Sequence, residues 1–221
     1  MSAALSKRRP AVDAGGAKRA EPSIEAVKGL IGGRWLAPHP GRASRSRCTT
    51  LTPLGAVSRG LAAGAVGTLA MDSLLFTRYR RAGGSDGFAA WEFSAGLSSW
   101  TDAPAPAQVG KRLLEGFLGR ELPESRARIV NNVTHWATGL IASMQYGLVA
   151  GSLRRRRVSY GVPFGAGVWS AGYAVLPVAG IYRPIWRYDR RTLSRDLTAH
   201  LVFGLSTAAT FRLLSASAGS R

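Results

Sequence analysis

The sequence predicts an all-α protein: a four-helix transmembrane bundle with a disordered basic N-terminal tail and an interfacial helical loop. Three observations carry that prediction. Residues 129–153 contain no Asp, Glu, Lys or Arg, and at ~1.5 Å per residue they are long enough for a hydrocarbon core of roughly 30 Å. Three further stretches, at about 56–77, 162–182 and 197–214, are nearly as poor in charge. Cations gather at the edges of these stretches, as in Arg78, Arg80 and Arg81 and the block Arg154, Arg155, Arg156 and Arg157.

Whole-chain averages hide this segregation. At 221 residues, 46% hydrophobic and with a mean hydropathy of 0.00, the chain resembles a soluble protein. Its charge of +18 would ordinarily point to nucleic acid. The arginines lie at the ends of apolar segments and do not run along one helix face, so a lipid bilayer with anionic headgroups at Arg154, Arg155, Arg156 and Arg157 is the expected partner, and no nucleic acid is expected. Arg outnumbers Lys 26 to 4, which with so much Ala and Gly reflects a GC-rich genome. Cys48 is the one cysteine, so there is no intramolecular disulfide and no CxxC site. The first long apolar run starts near Gly60, too late for a secretory signal, and the first span is expected to remain in the mature protein.

Residues 1–50 mix Ser, Ala, Gly, Pro and Arg without sustained periodicity and are expected to form a mobile tail. Within it, Ile24, Val27, Leu30 and Ile31 fall at helical spacing before Gly32 and Gly33. A short helix or a transient turn fits equally.

The first span, about 56–77, has one interior charge, Asp72. Gly60, Gly64 and Thr68 lead to it in steps of four, a stripe that lets a neighbouring helix approach. Residues 78–128 form the interfacial loop. In it Pro104 and Pro106 open an amphipathic helix that ends near Gly119, with Val109, Leu113 and Phe117 on one stripe beside Leu114. Trp91, Phe93 and Trp100 suit the headgroup layer.

The second span, 129–153, repeats small residues at Gly139, Ser143, Gly147 and Gly151, a second packing stripe. Such stripes also suit a homo-oligomer. Gln145 lies off that face and is expected to hydrogen-bond across to another helix. The third span, 162–182, enters through Pro163 and should bend or fray at Pro177. The fourth, 197–214, contains His200 and Arg212, and Arg212 can snorkel from its end. Four spans put both termini and the Arg154–Arg157 turn on one side, assigned to the cytoplasm by their cations. The loop 183–196, with five arginines, opposes that assignment.

Helix ends alternate sides, so Asp72, His135 and His200 lie roughly 7 to 11 Å inside one boundary at ~1.5 Å per residue. Asn131 sits one turn before His135, and Asp72, Asn131, His135 and His200 form the candidate polar cluster. Three readings compete for it. Asp72 pairs with a histidine to offset a burial cost of roughly 2.5 to 3.5 kcal/mol; or the group relays protons or ions; or two His and a carboxylate hold zinc or iron. No HxxxH or HxxE spacing supports the third, no nucleophile elbow occurs, and the glycines of 161–172 lack a following GK[ST]. No cofactor is expected.

Gly64, Gly67 and Thr68 leading to Met71 and Asp72 resemble a pattern in small bacterial inner-membrane proteins of the YagU-like family. So do the loop 103–110, the motif Asn131, Asn132 and His135 opening a span with Tyr146 and Gly147, and His200 with Gly204. The resemblance covers about 60–214, implies a multi-pass inner-membrane address, and brings no activity with it. The expected role is non-enzymatic, in transport, proton or ion relay, or the envelope; the rival is a membrane-embedded metal-dependent enzyme.

Overall fold

The computed structural model describes residues 51–101 and 103–216. The tail and its candidate helix lie outside the described residues. Among those described there are six α-helices and no strand: α1 (Pro53–Arg81), α2 (Phe88–Glu92), α3 (Ala105–Leu118), α4 (Ala127–Ser152), α5 (Gly161–Val178) and α6 (Arg190–Ala216).

Local chemistry sets the helix ends. The Gly55 N–H donates to Thr52 Oγ1 at 3.1 Å and Pro53 occupies the first turn, while Arg78, Arg80 and Arg81 sit in the last turn, where the helix dipole favours cations. α3 stops at Gly119, whose φ of 65° is left-handed. α4 ends as Leu153 turns extended, and Arg156 Nη2 donates back to the Gly151 carbonyl at 3.1 Å. α5 ends four residues before the expected limit: Pro177 lies in its last turn and Gly180 adopts φ 66°. α6 begins seven residues before the expected start, because Asp189 caps it, accepting from the Thr192 N–H at 2.9 Å and the Thr192 hydroxyl at 2.6 Å. Those two bonds hold the exposed Asp189 carboxyl below the usual aspartate range.

α1 is the central helix, packed against α4 on one side and α6 on the other, and α5 packs on α6. The α1–α4 seam is made of small residues. A Cβ added to Gly60 would lie 2.6 Å from the Ser143 carbonyl oxygen, one on Gly64 2.5 Å from Ser143 Cβ, and one on Gly147 2.5 Å from the Ala56 carbonyl oxygen. Gly139 faces Thr68 and Gly151 faces Ala56 in the same seam. Gly161, Gly165 and Gly204 bring α5 and α6 equally close. One bundle end is filled by Ala63, Tyr146, Ala150, Ala208 and Phe211, with Phe164 against Tyr146 at 4.7 Å between ring centroids. At that end Arg59 Nε donates to the Leu214 carbonyl at 3.1 Å, tying α1 to α6.

Beside the aromatic rings of Tyr146, Tyr173, Phe203 and Phe211, much of what the bundle buries is small or hydroxylic, while many large aliphatic side chains are exposed. Leu61, Val66, Leu69, Val133, Ile141, Leu148, Val149, Val175 and Leu213 all face outward. α1 and α6 are each long and apolar enough to cross a membrane, and only 33% of the apolar window of each is buried in the bundle, unlike the core helix of a soluble protein.

The connection between α1 and α4 departs from the expected arrangement at Trp100. Trp100 does not lie at a surface: it is 5% exposed, packs with Ala107, Ala127 and Val130, and donates from Nε1 to the Leu122 carbonyl at 3.2 Å. Buried indole needs an acceptor, and the turn after α3 supplies one. α3 meets α4 through Ala107 and Gly110, which leaves Leu113, Leu114 and Phe117 exposed. Its apolar stripe therefore points away from the bundle. Gln145 is exposed on the outer face of α4.

Candidate functional site

At the end of the bundle opposite the aromatic core, α1 presents Asp72 and α4 presents His135. Asp72 is 3% exposed, and His135 Nε2 is 3.1 Å from both Oδ1 and Oδ2. With its proton on Nε2, the imidazole donates to the carboxylate, whose two oxygens accept. Few carboxylates are buried this deeply without such a partner, because desolvation of the charge costs several kcal/mol.

The segment that follows α2 covers the pair, and α4 holds it in place. Arg128 Nε and Asn132 Nδ2 both donate to the Phe93 carbonyl at 2.9 Å, and Asn131 Nδ2 donates to Ser94 Oγ at 2.9 Å. Ser94 takes φ 49°, a left-handed backbone that directs Phe93 and Ser94 onto α4. This grip brings Glu92 over the pair, where Trp136 Nε1 donates to Glu92 Oε1 at 3.1 Å. Burial, and then the negative charge of Asp72, push the Glu92 carboxyl above the usual glutamate range, against the opposing pull of His135 and the Trp136 hydrogen bond. Glu92, His135 and Asp72 thus form a graded series from the rim inward.

Deeper in the bundle the polarity continues as hydroxyls. Thr68 stands one turn inside Asp72 and is 1% exposed, Ser143 lies at the level of Gly64, and Thr207 faces Gly67 from α6. The oxygens of all three are buried with no hydrogen-bond partner. Buried hydroxyls ordinarily find one, and in a helix the carbonyl four residues back is the usual choice.

Of the four residues expected to cluster, the structure brings two together. Asn131 is 7% exposed and its amide nitrogen is spent on Ser94, with Oδ1 buried and unpaired. His200 lies at the same end but turns to its own helix, with Nδ1 3.0 Å from the Asp196 carbonyl oxygen and 3.6 Å from its carboxylate. Equal depth along two helices does not bring two side chains together when their faces differ. Glu92, Ser94 and Trp136 were not foreseen; the available signal was Glu92 as the one acid inside the aromatic run 88–93. Among the described residues no group of three or more His, Cys, Asp and Glu could hold a metal ion.

Fold and site together define an all-helical protein with two helices able to cross a membrane and a carboxylate–histidine pair buried at one end. No family model matches the chain, and no curated protein or solved structure matches it either.

Proposed function

We propose that this chain is a four-span protein of a bacterial inner membrane, with α1, α4, α5 and α6 as the spans, and that Glu92, His135 and Asp72 relay protons into it from one face. The observation that carries the relay is the buried Asp72–His135 pair with Glu92 above it. A histidine beside two carboxylates can accept a proton at one ring nitrogen and release one at the other. Thr68 and Ser143 offer unpaired hydroxyls, each both donor and acceptor, along the α1–α4 seam beyond Asp72.

The spans are supported by the inverted packing. Small residues along the helix seams and exposed Leu, Val and Ile are what lipid selects, since close backbone approach holds helices together there. The exposed face of α3 fits the headgroup layer. Arg154, Arg155, Arg156 and Arg157 would meet anionic headgroups. The multi-pass address is also the one the YagU-like resemblance implies. The metal-dependent enzyme finds no donor set of three in the described residues.

Alkaline carbonate should leave the chain in the membrane and detergent should release it. In a Cys48→Ser background, single cysteines replacing Ser85 and Arg187 should label from one side and one replacing Arg155 from the other. Reconstituted vesicles should take up protons, and Asp72→Asn should abolish the uptake.

A further inference from the structure

Beside the buried pair, at the same bundle end, a separate cleft of about 600 Å³ opens between the ends of α1, α5 and α6. Its walls combine two chemistries that seldom adjoin by accident. One side is aromatic and acidic: the rings of Tyr173, Tyr182 and Tyr188 stand with centroids 5.4 to 6.2 Å apart, and Asp196 lies among them. The Asp196 side chain is 35% exposed, and its ion partner, His200 Nδ1, stays 3.6 Å away. The other side is cationic. Arg78 Nη1 donates to the Arg195 carbonyl at 2.7 Å, which fixes the guanidinium at the cleft, and Arg195 itself is exposed beside it.

Tyrosine faces with a carboxylate attract an ammonium group, and paired guanidinium groups take a phosphate. We propose that this cleft binds the phosphoethanolamine headgroup of a bilayer phospholipid, with the phosphate at Arg78 and Arg195 and the ammonium at Asp196 among the tyrosines. A purely anionic headgroup would satisfy the arginines but set its own negative charge against Asp196. The source is the bilayer because Val175, Val178 and Trp186, each within four residues of a tyrosine of the cleft, are exposed and apolar, as a surface that meets acyl chains requires. The cleft volume suits a headgroup and the start of its chains. The inference rests on reading the chain as a membrane protein.

The test uses the full chain, purified in detergent after alkaline carbonate extraction of membranes. Mixed micelles carrying phosphatidylethanolamine should raise the thermal unfolding midpoint by several degrees, and native mass spectrometry should show that lipid retained. Phosphatidylglycerol and water-soluble glycerophosphoethanolamine should do neither. Asp196→Asn and the exposed Arg195→Gln should each weaken retention about tenfold, as loss of one charge-assisted hydrogen bond predicts. Equal or better retention of phosphatidylglycerol, or unchanged selectivity in Asp196→Asn, would overturn the site while leaving the membrane reading standing. Stabilisation by the soluble headgroup alone would overturn the lipid as occupant. Release of the chain by carbonate would overturn both readings.

Discussion

His135 Nε2 stands 3.1 Å from both carboxylate oxygens of Asp72, and this contact joins α1 to α4 across a boundary otherwise built from glycine, serine and alanine. Two helices that pack through small residues gain little sideways specificity from them. One buried charged contact fixes their register, and its energy can be measured. Asp72→Asn and His135→Ala should each destabilise the bundle, and their double mutant should show a coupling energy of about 1 to 3 kcal/mol in a denaturant titration in detergent. Additive losses would mean that the pair contributes nothing as a pair.

His200 gives the contrasting case. Its ring is engaged with Asp196 on its own helix, so His200→Ala combined with Asp72→Asn should be additive within about 0.5 kcal/mol. The same unfolding measurement reports it.

The seam itself discriminates between glycines. Gly64→Leu drives a side chain into Ser143 Cβ and Oγ, Gly147→Leu drives one into the backbone of Ala56 and Gly60, and each should cost about 1 to 3 kcal/mol, read as a lowered unfolding midpoint. Gly167→Ala and Gly172→Ala meet nothing within 4 Å. Those two should be neutral or stabilise α5 by about 0.5 to 1 kcal/mol through helix propensity.

Docking of the 88–95 segment should depend on pH through Glu92. Its pKa is raised when docked, so the docked state binds the proton more tightly than the open one. Docking is therefore firmest below the usual glutamate range and weakens as pH rises through the raised pKa. The groups facing Glu92 are Asp72 from α1 and His135 with Trp136 from α4. Trp136 fluorescence or protease cleavage near Gly96 should follow that transition, and Glu92→Gln should flatten it and keep the segment docked at neutral pH.

Trp100 anchors the other half of the connection. Trp100→Ala removes a buried indole and its bond to the Leu122 carbonyl, at a cost of about 3 to 5 kcal/mol to local packing. Proteolysis in 119–126 should accelerate, while the Asp72–His135 coupling stays intact.

The long helices and their small-residue stripes were legible from sequence because both signals are local and periodic. Gly60 with Gly64 and Ser143 with Gly147 needed only a four-residue repeat to be read as stripes, and the structure shows that the two stripes face each other. Connectivity was enough to put Asp72, His135 and His200 at one end, but rotation about the helix axis is set by packing, and that rotation separates His200 from the other two. Glu92 was hidden for a different reason. Its position depends on Arg128, Asn131 and Asn132 reaching about 35 to 40 residues back along the chain to Phe93 and Ser94, contacts with no periodic trace. The amphipathic pattern of α3 was legible, and the structure adds that its apolar face turns outward.

Proton flux shows whether Asp72 and His135 carry protons within a membrane. The purified chain is reconstituted into vesicles enclosing a pH-sensitive dye, and a pH step is imposed outside with the membrane potential clamped. Luminal acidification should be faster than in empty vesicles, the difference should vanish in Asp72→Asn and in His135→Ala, and it should remain in His200→Ala. Flux equal to that of empty vesicles for the parent chain, or unchanged flux in Asp72→Asn, would contradict the relay.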